Sequence, residues 1–132
     1  MKNLFLAGFS AIAILAGVLL VLPATASLSE KFHTPPASPV PGKVTLVDLG
    51  AKTCVPCKMM VPILDELERE YADRAAILFI DILDNPEAGR KYGIQLIPTQ
   101  IFYDASGKEV FRHEGFMDKA AIVAQLDKLG VR

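Results

Sequence analysis

Residues 44–58 read Val44-Thr45-Leu46-Val47-Asp48-Leu49-Gly50-Ala51-Lys52-Thr53-Cys54-Val55-Pro56-Cys57-Lys58, and they hold both cysteines of the chain. Val44–Leu49 is a short, mostly apolar run, which suits a strand buried on both faces. Ala51–Cys57 reads as a turn, and a helix is predicted to follow as far as about Tyr71. Its apolar positions Met60, Ile63, Leu64, Leu67 and Tyr71 recur at i, i+3, i+4, i+7 and i+11, while Asp65, Glu66, Glu68, Arg69 and Glu70 take the wet face. The Cys-x-x-Cys pair therefore stands where a strand hands over to a helix. At a helix N-terminus, free N–H groups and the helix dipole stabilise a thiolate on Cys54. That lowers a thiol pKa from about 8.5 towards 7 or below and makes it a nucleophile near neutral pH. Cys57, one turn further on, is close enough to close a disulfide. The spacing supports a two-step exchange in which Cys54 attacks a substrate disulfide and Cys57 resolves the mixed disulfide. Pro56 stiffens the small ring between them.

Other uses of two cysteines are open at this point. Half of a zinc site would need soft partners, and the candidates are His33 and His113. A purely structural disulfide would close a loop so short that its chain-entropy contribution is small. Copper handling would draw on Met59, Met60 and Met117 as soft ligands, although Met60 already belongs to the apolar stripe of the helix.

Working towards the C-terminus, Ala76–Ile82 is a second buried strand. Asn85 is placed to cap a short helix with Pro86 at its first position and Gly93 closing it. Thr99–Tyr103 and Glu109–His113 are strands joined by the turn-rich Asp104-Ala105-Ser106-Gly107-Lys108, which reads as a hairpin. A last helix has Asp118 as N-cap, Ile122, Leu126 and Leu129 on one face, and Gly130 at its exit. The order βαβαββα predicts an α/β domain, a mixed sheet with helices on both sides.

Towards the N-terminus the composition changes. Ser27–Gly42 carries Pro35, Pro36, Pro39 and Pro41, which favour an extended tether. Before it, residues 4–22 hold no charge; Met1-Lys2-Asn3 precede them and Pro23-Ala24-Thr25-Ala26 follow. That pattern is a secretory signal peptide cut after Ala26. The run is also nearly long enough to span a bilayer, so an uncleaved anchor oriented by Lys2 is the alternative. Both readings put the remainder of the chain outside the cytoplasm, in the periplasm or an equivalent space. Membrane contact would come only through residues 4–22. The expected organisation is 1–26 signal or anchor, 27–42 tether and 43–132 domain.

The full chain has 132 residues, 52% hydrophobic and 22% charged, with 14 basic against 15 acidic side chains. That length suits one domain and excludes a multidomain machine. The near-balanced charge argues against a nucleic-acid partner, which would call for clustered Lys and Arg. No feature points to a nucleotide, flavin or haem site, so the expected redox centre is the Cys54–Cys57 disulfide itself, with no further cofactor and no metal.

From Val44 to Leu129 the chain resembles the thioredoxin family. The likeness rests on Cys54-Val55-Pro56-Cys57-Lys58, on Val47-Asp48-Leu49 upstream, on Pro62 within the helix, on Tyr92-Gly93-Ile94 with Ile97-Pro98-Thr99, and on Gly115. The resemblance implies a thioredoxin-like fold with a mixed sheet of about four strands. The family's N-terminal strand and helix would be reduced or absent, because the Pro-rich tether occupies their place. It implies that Asp48 is a buried acid that takes the proton from Cys57, burial raising its pKa into a useful range. It also implies a cis bond before Pro98, with the backbone of Ile97 pairing with an extended substrate segment. Val55, Pro56, Ile97, Pro98 and Gly115 would then face the client, and His113 would be a cross-strand side chain.

The departures from the family pattern bear on specificity. Thr53 and Gly50 stand where thioredoxins often carry aromatics, and Phe79 where they often place a lysine near the buried acid. The Val-Pro middle pair is similar to that of membrane-tethered thioredoxins of the TlpA and ResA type. The stretch from Ile82 to Pro98 is too short for the extra element those proteins insert, or for a helical insertion. Pro56 in the third motif position resembles the reducing members of the superfamily, which makes reduction of protein disulfides the expected activity. Outside the cytoplasm such a reductant implies a membrane electron donor resembling the DsbD/CcdA type. Its clients would be disulfide-containing proteins, such as apocytochrome c or mispaired proteins. The alternatives are a copper- or haem-delivery module using the same thiols, and a disulfide oxidant.

Overall fold

The structure is a computed structural model that describes residues 38–132. The signal or anchor segment and the first part of the tether lie outside the described residues. So does most of the stretch where the family's N-terminal strand and helix would fall.

Strand β1 (Val44–Gly50) is buried at every position, as its apolar run predicts. It leads into helix α1 (Val55–Tyr71), strand β2 (Ala75–Asp81), helix α2 (Pro86–Lys91), strand β3 (Thr99–Tyr103), strand β4 (Glu109–Glu114) and helix α3 (Lys119–Lys128). The sheet order is β2-β1-β3-β4. β2 runs parallel to β1, while β3 and β4 are antiparallel to their neighbours. A parallel neighbour needs a crossover, and α1 supplies it; the antiparallel pair β3–β4 needs only the Asp104–Lys108 turn. There Asp104 Oδ1 accepts from the N–H groups of Ser106 and Lys108 at 2.9 and 3.0 Å, and Gly107 takes a φ of +83° that disfavours other residues.

β1 is central because both faces of the sheet are covered. On one face Leu46 and Phe102 pack with Met60, Leu64 and Leu67 of α1 and Ile122 and Leu126 of α3. On the other, Val47, Leu49, Ile80 and Ile101 meet Ala88 of α2 and Tyr92. Each fully buried Leu, Ile or Phe contributes roughly 1.5–3 kcal/mol. The two clusters bury β1 on both faces, and the cysteines sit just past its exit.

Local chemistry shifts a few boundaries. α1 begins at Val55 rather than after Cys57, because Pro56 has no N–H to lose in a first turn whose N–H groups are unpaired anyway. β2 starts one residue earlier than its apolar run suggests, with Ala75 paired to Val44. Asn85 occupies the N-cap position of α2 but makes no side-chain cap; its Nδ2 instead donates to the Asp81 carbonyl at 3.2 Å. Asp118 does cap α3, its Oδ1 accepting from Ala121 N–H at 2.8 Å.

Candidate active site

Cys54 is the N-cap of α1, and its sulfur accepts a hydrogen bond from Cys57 N–H at 3.4 Å. No acidic side chain lies in the first turn of α1, so the positive end of the helix dipole faces Cys54 unopposed. The two cysteines form a disulfide. They are not equivalent: Cys54 is partly exposed, whereas Cys57 is 1% exposed and turned to the sheet. That asymmetry allows an exchange that begins on the outer sulfur and ends on the inner one.

Gly50 explains how the inner sulfur fits. A Cβ at this position would lie 3.1 Å from Cys57 Cβ, 3.1 Å from the Phe79 ring and 3.2 Å from Cys57 Sγ. Glycine at the end of β1 thus lets α1 and the Phe79 ring approach the strand closely. Asp48 lies on the same face of β1, one strand repeat (about 6.6 Å) deeper. It is 0% exposed, and burial pushes its pKa from 3.8 up to about 7, against a lowering hydrogen bond from Gln100. That bond, from Gln100 Nε2 to Asp48 Oδ1, is 2.6 Å long.

The loop into α1 is held from below by a second buried acid. Asp81, at the end of β2, accepts Lys52 N–H on Oδ2 at 3.0 Å and Leu83 N–H on Oδ1 at 2.8 Å. Ile82 N–H donates to the Gly50 carbonyl at 2.9 Å, and Cys54 N–H closes the turn onto the Ala51 carbonyl at 3.0 Å. Lys52 Nζ meets Asp84 at 2.7 Å on the surface.

The Ile97–Pro98 bond is cis. The N–H and carbonyl of Ile97 make no hydrogen bond among the described residues, while Thr99 Oγ1 donates to the Leu96 carbonyl at 2.6 Å and fixes the turn before the proline. Gly115, with φ +99°, donates its N–H to the Pro98 carbonyl at 2.8 Å. Met117 N–H reaches Met60 Sδ at 3.5 Å, tying the segment after β4 to α1. These contacts draw the start of α1, the Leu96–Pro98 turn and Gly115–Met117 to one end of the sheet. Pro98 and Met117 are buried there, but four apolar side chains around them stay in solvent: Val55 is 70% exposed, and Met59, Leu96 and Phe116 are exposed as well.

Of the residues singled out from the sequence, Cys54, Val55, Pro56, Cys57, Ile97, Pro98 and Gly115 lie at this end, with Asp48 beneath. His113 is a cross-strand side chain opposite Gln100, its Nε2 3.2 Å from the Phe116 carbonyl. Met60 and Met117 are buried and engaged with each other, which removes both from any set of accessible soft ligands. Gln100 and Asp81 escaped the sequence reading. The available signal was a long polar side chain at the head of the apolar run Ile101-Phe102-Tyr103 and an acid closing Ile77–Ile80.

A redox pair with one partly exposed and one buried cysteine, on a helix N-terminus above a four-stranded mixed sheet, defines a dithiol–disulfide exchange protein. Comparison with known proteins places it further. The thioredoxin family model matches residues 28–128. Thioredoxins from Staphylococcus aureus strains Mu50 and MW2 are each 41% identical over 91 residues, covering 69% of this chain and 86% of theirs. The exposed lipoprotein thioredoxin of Streptococcus pneumoniae strain TIGR4 superposes with a TM-score of 0.60 at 24% identity, over 75% of this chain and 88% of that one. The chain belongs to the thioredoxin family, and its Cys54–Cys57 pair supports thiol–disulfide oxidoreductase activity.

Proposed function

We propose that this thioredoxin works outside the cytoplasm as a reductant of protein disulfides. The observation that carries the reading is the unequal pair, a half-exposed Cys54 on the helix cap and a buried Cys57 behind it. In the reduced protein the Cys54 thiolate attacks a client disulfide, forming a mixed disulfide and releasing one client thiolate. Cys57 gives its proton to Asp48 and attacks Cys54 Sγ. The second client thiolate leaves, and two electrons have passed from the Cys54/Cys57 dithiol to the client. The acid is suited to the step, because a pKa of about 7 lets it accept and release a proton near neutral pH. The redox-active disulfide is the whole redox centre; no other cofactor or metal takes part.

Client contact falls to Val55, Pro56, Ile97, Pro98 and Gly115. The unpaired backbone of Ile97 suits an extended peptide added as a short strand. Location rests on the residue 1–26 pattern, and Pro56 supports the reducing direction. Recharging needs a two-electron thiol donor in the membrane, of the DsbD/CcdA type, and the clients are disulfide-bearing proteins of the same compartment.

Insulin reduction with dithiothreitol as donor tests the activity. Cys54→Ser is expected to lose it at least 100-fold, and Cys57→Ser to accumulate mixed disulfides on non-reducing gels. Full activity in Cys54→Ser overturns the reading. Equilibration with thiol buffers then tests direction: a potential near about −270 mV fits a reductant, and one near about −120 mV makes the protein an oxidant.

A further inference from the structure

Gln100 has no part in the scheme above, yet it is 0% exposed and lies directly opposite Asp48 across β1 and β3. Its Nε2 donates to Asp48 Oδ1 at 2.6 Å. The other two oxygens of the pair, Asp48 Oδ2 and Gln100 Oε1, are buried without a hydrogen-bond partner among the described residues. Buried polar atoms are almost always paired, so two orphans on adjoining side chains ask for a common explanation. Both are acceptors when Asp48 is ionised, and neither can satisfy the other. One proton on Oδ2 changes that, since a carboxylic acid and a carboxamide form a closed ring of one N–H···O and one O–H···O bond.

We infer that Gln100 is a positioning residue for the proton step, its carboxamide closing a ring with Asp48 when the acid takes the Cys57 proton and keeping a single bond when the proton leaves. The inference deepens the reading of Asp48 as the proton acceptor and rests on it. Among the described residues the Gln100 amide is the one hydrogen-bond partner of the Asp48 side chain. From β2 the cross-strand neighbour is Phe79. Asp81, one repeat along β2, is occupied by the Lys52 and Leu83 N–H groups. From α1 the titratable group is Cys57, against Gly50; from β4 it is His113, opposite Gln100 and engaged at Phe116. A carboxamide serves here because it presents a donor and an acceptor together, where leucine would present neither.

The test separates the two chemical steps in single-turnover reduction of a disulfide peptide. Gln100→Leu is expected to form the mixed disulfide at the wild-type rate and to release it about tenfold more slowly, with an altered pH profile for release alone. In infrared difference spectra the C=O band of protonated Asp48 should move to higher frequency, as for an acid that has lost its acceptor. Wild-type release with an unmoved band overturns the inference, and so does an equal slowing of both steps. Should Gln100→Leu not fold, the wild-type protein still decides. The Gln100 side-chain NH2 resonances should titrate with the Asp48 carboxyl carbon, and resonances indifferent to that titration overturn the proposal. Asp48→Asn keeps the two failures apart. If it leaves release unchanged, the reading of Asp48 falls; if it slows release while Gln100→Leu does not, only the role of Gln100 falls.

Discussion

Asp48 and Asp81 are both buried acids on neighbouring central strands, 0% and 6% exposed, yet the fold treats them in opposite ways. Asp81 sits at the end of β2 and spends each oxygen on a backbone N–H, one from the loop before Cys54 and one from its own turn. Asp48 sits mid-strand between an aromatic ring and a carboxamide, with one oxygen bonded and one not. A carboxylate that collects N–H groups acts as a clamp. One kept short of partners holds its proton up to near-neutral pH, where it can take up and release one. Burial alone does not decide how a carboxyl behaves; its partners do.

The comparison predicts substitutions of opposite sign. The largest effect is expected from Asp48→Asn. Burial holds the Asp48 pKa at about 7 against the ordinary 3.8, so the folded state binds a proton that the unfolded chain has given up. The stability this lends is full below the unfolded value, is lost as pH rises to about 7, and stays lost above. Asparagine removes the charge. Urea unfolding of the oxidised protein should therefore show little change near pH 4 and a gain of about 4 kcal/mol near pH 8. A loss at pH 8 would break the comparison.

Asp81→Ala comes next, with the other sign. It strands the N–H groups of Lys52 and Leu83, and a loss of about 2 kcal/mol is expected at neutral pH, read from the same urea midpoints. Asp81→Asn, which keeps an acceptor, should lose less. An Asp81→Ala protein as stable as wild type would mean that the clamp is ornamental. The smallest effect belongs to Lys52→Ala, which removes only the exposed contact with Asp84. No measurable shift in the urea midpoint is expected, since exposed pairs are worth little.

These two acids also mark how far the sequence could be read. β3, from Thr99 to Tyr103, and the Asp118 cap were legible, because hairpin turns and helix caps are written within a few neighbouring residues. Cys54 and Cys57 were legible for the same reason. Asp48 came from the family resemblance. Gln100 did not, because its meaning is a cross-strand pairing 52 residues away in the chain. Asp81 was missed likewise, its contact with Lys52 spanning 29 residues. Asn85 misled in a different way: its position before Pro86 suits a cap, but the Asp81 carbonyl claims its amide.

Cys54 and Cys57 are three residues apart on a single turn of α1. Their bond joins neighbouring atoms of that one turn and ties no strand to another, so making or breaking it asks no strand to move, and the two redox forms are expected to present nearly the same outline. A partner that must tell the charged molecule from the spent one has no change of shape to read. It must distinguish them by attempting the reaction, which makes the encounter itself the act of recognition.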